Sequence, residues 1–170
     1  MTNNYIELKN LVLSEDFPWF FVKDAVRGQY SQGQTDVNNF PFFSHVMLDR
    51  PGDNKSYAVP VSSVLPLAEQ VFCDICEEKK IAWRVLYRVN ANMTLPSTTG
   101  NTEPSPLHRD HDFPHTNMLV YLTDCNGGPT MVYGKDDYYG KEDDVFTFEG
   151  LHQHKLPTSG RRVVLVYTFL

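Results

Sequence analysis

Along the first eighty residues the apolar positions change spacing several times, and once, after Ser62 and Ser63, they settle at intervals of three and four. In LPLAEQVFCDICEEKK the residues Leu65, Ala68, Phe72 and Ile75 recur in this way, which places them on one helix face and leaves Glu77 to Lys80 as its solvated end. From Ile81 onward the pattern changes. Short runs rich in β-branched and aromatic residues (IAWRVLYRVNANM, NMLVYLT, PTMVY, DVFTF and RVVLVYTFL) alternate with segments carrying Gly, Pro, Asn and Asp, as in an all-β sandwich or barrel. The last run is apolar at both alternating sets of positions, so one face is expected inside a barrel and the other beneath the helix. The fold class expected is mainly β with supporting helices. A single domain is expected over residues 1–170, with 1–80 as a supporting helix and strand layer and 81–170 as the barrel core. The aromatic segments 17–21 and 40–48 read as core filler.

The composition narrows this picture. A chain of 170 residues that is 41% hydrophobic and 21% charged can bury a core of its own. Its net charge of −6 offers no broad attraction to nucleic acid or anionic lipid, which argues against a phosphate-tracking function. No apolar stretch approaches the roughly 20 residues that span a bilayer, and MTNNYIELKN has neither an apolar signal core nor an Arg-rich transit pattern. With three cysteines, an odd number, the expectation is a cytoplasmic protein without a disulfide framework. Cys73 and Cys76 lie in the helical pattern, and with only Cys125 elsewhere they cannot complete a four-cysteine zinc site.

Five of the six histidines (His108, His111, His115, His152 and His154) fall within the β-rich half. His108 and Asp110 are two apart, and in a strand such residues point to the same face, so both can reach one ion. A His-x-Asp pair alone occurs by chance in chains of this size. It gains meaning from order: a facial triad of two histidines and one carboxylate takes a second histidine from a distant strand and leaves positions on iron(II) for a chelating co-substrate and O2. FEGLHQHKLP supplies that distant histidine after the run VFTF, and Arg161 and Arg162 then open the final run, where a guanidinium can pair bidentately with a carboxylate. His111, Asp112 and His115 follow at offsets that assign them to the loop or to supporting roles.

The segments LHRDHDFPHTNMLVYLTD, GGPTMVY, DVFTFEGLHQHKLP and RRVVLVYTFL together resemble the iron(II)- and 2-oxoglutarate-dependent dioxygenases, most closely their small prolyl 4-hydroxylase-like members, over about residues 81–170. The resemblance implies a double-stranded β-helix (jelly-roll, cupin-like) barrel. It implies His108, Asp110 and His154 as iron ligands, His154 rather than His152 because the family places its distal histidine four residues after the glycine matched by Gly150. It implies Arg162, ahead of Arg161, as the residue that binds the far carboxylate of 2-oxoglutarate, with Tyr121 donating to the same carboxylate and Asn92 contributing from the first barrel strand. The implied activity is hydroxylation of a C–H bond of a peptidyl proline or a small molecule, with O2 consumed and 2-oxoglutarate decarboxylated to succinate. The long PSTTGNTEPSP segment and Glu149 in the turn depart from the family pattern. The other readings are a non-catalytic jelly-roll binding module that keeps a structural metal, and a zinc hydrolase, for which no general base stands at a defined offset. The loops 96–106 and 134–144 are expected to border the mouth of the site.

Overall fold

The computed structural model describes residues 1–23, 40–52, 56–98, 100 and 102–170. Helix α1 (Asn3–Leu13) starts where Thr2 accepts the Tyr5 N–H on its side-chain oxygen, and it buries Tyr5, Leu8 and Val12. Helix α2 (Leu65–Lys79) has Pro66 in its first turn and ends at Lys80 in the left-handed conformation. It buries Leu65, Ala68, Val71, Phe72, Ile75 and Cys76, the face its spacing predicts. The α1 pattern went unread in the sequence. Its signal, a threonine cap followed by apolar residues three and four apart, was present but spans only three turns.

Among the described residues the strands follow the chain as β1 (Phe20–Val22), β2 (Phe42–Asp49), β3 (Val59–Pro60), β4 (Leu86–Thr94), β5 (Thr116–Tyr121), β6 (Thr130–Val132), β7 (Val145–Phe148), β8 (His152–His154) and β9 (Arg162–Phe169). All pairings are antiparallel. The large sheet runs β1-β2-β4-β9-β5-β7, with β3 added at β2. The β2–β4 pairing thus joins residues before and after Ile81 in one sheet. A second sheet pairs β6 with β8 and is extended by single bridges from His108 to His152 and from Tyr138 to Thr130.

Strand β9 is buried on both faces and divides the molecule. Val163, Leu165, Tyr167 and Phe169 pack toward the helices, where the Tyr167 hydroxyl donates to the Ala68 carbonyl and the Phe72 ring meets Tyr167 and Phe169. Burying each such side chain contributes about 2 kcal/mol. Arg162, Val164 and Val166 face the other way, into a cavity of about 780 Å³ between the sheets. This two-faced strand is the one its apolar pattern predicts.

Two expectations about the periphery are corrected. Phe17 and Phe40 are core residues, but Phe20 and Phe21 are 61% and 64% exposed on the short edge strand, and Phe42 lines the cavity. None of the described residues of either long loop is among those lining the cavity, whereas residues 49–52 and 109–113 are. The 134–144 loop is pinned behind the barrel. Lys9 Nζ pairs with Glu142 and Asp143 at 2.5 Å, and the Tyr5 hydroxyl donates to Asp143 at 2.5 Å. The 96–106 loop, whose residues 99 and 101 lie outside the described set, ends with Ser105 bonded to the β8 backbone.

Candidate metal and carboxylate site

His108, Asp110 and His152 bring one ligand atom each to within 4.8 Å of one another. Backbone contacts hold the imidazoles ready. The Nδ1 of His108 bonds the Pro106 carbonyl at 2.8 Å and that of His152 bonds the Gly150 carbonyl at 3.3 Å, which leaves both Nε2 atoms as acceptors. His152 Nε2 lies 3.5 Å from Asp110 Oδ2, while Arg88 donates to Oδ1 at 2.5 Å. Burial works against the Asp110 charge, yet Arg88, His152, His108 and Arg50 together hold its carboxyl well below the usual range. Burial also pushes His152 down to about 4, so its ring is neutral at ordinary pH. Two imidazoles and one ionised carboxylate on one side of an open cavity form the donor set of a facial triad, and they fit a divalent iron.

The histidine that the structure brings within reach of His108 and Asp110 is His152, where the sequence led us to expect His154. Gly150 adopts φ +94°, and the chain leaves that turn to begin β8 at His152, opposite His108. His154 shares the cavity-facing side but lies two residues further along, edge-on to Phe40 and beside the Ser105 hydroxyl. Burial, and next the Arg162 charge, hold its ring well below the usual histidine range.

Arg162 lies at the other end of the cavity. It is buried, donates from NH2 to Thr130 Oγ1 at 2.9 Å, and sits 5.3 Å from the centre of the Tyr121 ring. Its Nε and the hydroxyl of Thr94, its register partner across β4, are buried without hydrogen-bond partners. Buried donors of this kind are costly unless a ligand satisfies them, and a carboxylate does so for both. Thr94 and Thr130 were missed in the sequence because a threonine in a strand carries no motif. Tyr121 differs from expectation: its hydroxyl is spent on Thr130 Oγ1 at 2.8 Å and it does not line the cavity, so it braces Thr130 from behind. Asn92 does line the cavity, with its Oδ1 accepting from Ser44 Oγ. Arg161 is exposed and donates to the Leu13 carbonyl. His111, expected in a supporting role, is buried and bonded to Thr168 Oγ1, and Asp112 is exposed.

The brace behind Arg162 is tight. A Cβ on Gly140 would overlap the Tyr121 ring, which is fully buried. Gly140→Ala is expected to cost about 1–3 kcal/mol and to weaken carboxylate binding, because Tyr121, Thr130 and Arg162 move together. Urea midpoints with a parallel 2-oxoglutarate titration check this, and an unchanged midpoint would contradict it.

The site also makes stability depend on pH. In the fold His111 is pushed down to about 4, chiefly by burial and then by His115, and His152 likewise to about 4. An unfolded histidine takes up its proton near 6.5. Between these values the unfolded chain binds protons that the native chain does not, so stability rises with pH across the window and is lost on acidification. Asp110 opposes nothing here, since its carboxyl remains ionised throughout. Thermal melts of the chelator-treated protein should show a clearly lower Tm at pH 4.5 than at pH 7.

No protein-family model matches the chain, and no curated protein matches its sequence. The fold does have solved counterparts. The chain is similar to an oxidoreductase of the 2OG-Fe(II) oxygenase family from Burkholderia pseudomallei, with a TM-score of 0.60 and 14% identity over 89% of this chain and 72% of that one. It is also similar to the non-heme alpha-ketoglutarate-dependent epimerase SnoN from nogalamycin biosynthesis, with a TM-score of 0.50 and 9% identity over 74% of this chain and 65% of that one. At these identities the likeness shows the fold, a double-stranded β-helix (jelly roll) backed by helices, as expected from the sequence.

Proposed function

We propose that this protein is an iron(II)- and 2-oxoglutarate-dependent dioxygenase that hydroxylates a C–H bond of a second substrate. The observation that carries this reading is the sharing of one cavity by a His–Asp–His donor set and a buried guanidinium with an unmet donor. When bound, iron(II) and 2-oxoglutarate supply the oxidising chemistry, with O2 consumed and the co-substrate converted to succinate and carbon dioxide. The chain supplies position. His108, Asp110 and His152 would hold the metal from one side, leaving its other side open to the cavity. Arg88 keeps Asp110 ionised and fixes which oxygen turns toward the imidazoles. Arg162 and Thr94, with Thr130 bracing the guanidinium, would anchor the far carboxylate and so set the orientation of the co-substrate. Val164, Val166 and Leu119 line the stretch between the two ends and keep water from its walls.

Anaerobic addition of iron(II) and then 2-oxoglutarate should produce a visible charge-transfer band that zinc does not give. Succinate should then form in air. A protein that binds iron(II) with no band and no 2-oxoglutarate-dependent change in its spectrum would sink the reading.

A further inference from the structure

The cavity has a second group of cations that the co-substrate does not use. Arg50, just after β2, and Arg88, on β4, both line it, and both converge on Asp110: Arg88 donates to the carboxylate and Arg50 NH1 donates to the Asp110 carbonyl oxygen at 2.8 Å. Arg88 faces Thr168 in the β4–β9 register whereas Thr94 faces Arg162, six residues further along. At about 3.3 Å per residue the two arginine ends lie about 20 Å apart along the sheet. A diacid anchored at Arg162 and chelated at the triad therefore leaves Arg50 and Arg88 unclaimed.

Charge makes this end of the cavity unusual. The chain as a whole carries −6, yet with Arg162 at the other end the remaining guanidiniums, Arg50, Arg88 and Arg109, equal the carboxylates Asp49, Asp110 and Asp112 in number. One guanidinium is enough to balance Asp110, and a divalent metal on that carboxylate would take up its charge. A second guanidinium in the same place adds repulsion, since Arg50 and Arg88 both reach Asp110. Such a pair is relieved by an anion, and a carboxylate matches the planar fork of each. Phe42, Phe113 and Phe148 line the same cavity, and its volume of about 780 Å³ is in the range that encloses a small molecule.

We propose that Arg50 and Arg88 form the docking site for the second substrate, a small molecule with a carboxylate and an apolar body, held so that a carbon near that carboxylate faces the triad. This assignment rests on the dioxygenase reading for what happens to the substrate, but not for the binding itself.

The test is a binding panel of aliphatic and aromatic carboxylic acids, each paired with its primary amide. Ligand-observed NMR would be used on the full chain loaded with manganese(II) and 2-oxoglutarate, and on the chain without either. At least one acid should bind tenfold or more tighter than its amide. Arg50→Gln should weaken that acid at least tenfold. Arg88→Lys, which keeps a cation beside Asp110 but removes the fork, should also weaken it, while Arg161→Met, at an exposed side chain outside the cavity lining, should not. Panels in which no acid outbinds its amide, or acids whose affinity ignores both Arg50→Gln and Arg88→Lys, overturn the assignment. If acids bind through Arg50 but manganese and 2-oxoglutarate do not bind, the dioxygenase reading fails and the docking site stands. If metal and co-substrate bind and the acids show no preference, the docking site fails alone.

Discussion

Replacing His152 with alanine is expected to abolish tight metal binding, and replacing His154 to leave it intact. The difference follows from where β8 begins. The turn at Gly150 delivers His152 opposite His108, with its Nε2 3.5 Å from the Asp110 carboxylate, and commits its Nδ1 to the Gly150 carbonyl. Removing it leaves one histidine and one carboxylate, a loss greater than the ~100-fold that follows from deleting only a supporting hydrogen bond. Asp110→Ala should be as severe for metal and worse for the apo fold, because Arg88 would be left buried without its counter-ion. His154→Ala should instead lower stability by opening a hole beside Phe40, with iron(II) affinity little changed. Iron(II) titration of the three variants, monitored by calorimetry under nitrogen, separates these outcomes. Intact metal binding in His152→Ala would show that the distal ligand lies elsewhere.

The second large effect falls on the co-substrate. Arg162→Met should weaken 2-oxoglutarate by a factor corresponding to about 2–5 kcal/mol, roughly 30-fold to several thousand-fold, because a buried guanidinium facing a carboxylate is replaced by an apolar chain. Arg162→Lys should fall between, since an ammonium keeps the charge but loses the fork that spans Thr130 and the ligand. Thr94→Val should weaken 2-oxoglutarate more modestly by removing a hydroxyl that has no other partner. Arg161→Met, altering an exposed side chain bonded to the Leu13 carbonyl, should change affinity by less than about 1 kcal/mol. Equal effects at Arg161 and Arg162 would remove the carboxylate site from the deep end of the cavity.

What the sequence determined by itself was periodicity and order. Spacings of three and four placed α2 and its buried face, and the doubly apolar run at the end of the chain marked β9 as a strand between a helix layer and a cavity. His108 and Asp110 were legible because their two-residue spacing has a fixed meaning in extended chain, and Arg162 because it opens that last strand. What only the tertiary structure decided was register and convergence. His152 and His154 lie on the same face of one short strand, so alternation cannot choose between them. What sets His152, and not His154, opposite His108 is the Gly150 turn and the bridge to His108, a partner 44 residues away. Tyr121 kept the expected strand position but spends its hydroxyl on Thr130, nine residues along the chain, because the sheets bring the two together. The 134–144 loop reads as a border of the site's mouth until α1, far earlier in the chain, is seen to pin it through Lys9 and Tyr5. Arg50 and Arg88 carry no local signal at all. Their meaning depends on β2 and β4 lying side by side and on both guanidiniums reaching Asp110. Backbone geometry repeats every few residues and is written locally, whereas the meeting of side chains across a cavity depends on long-range packing that no short window of sequence contains.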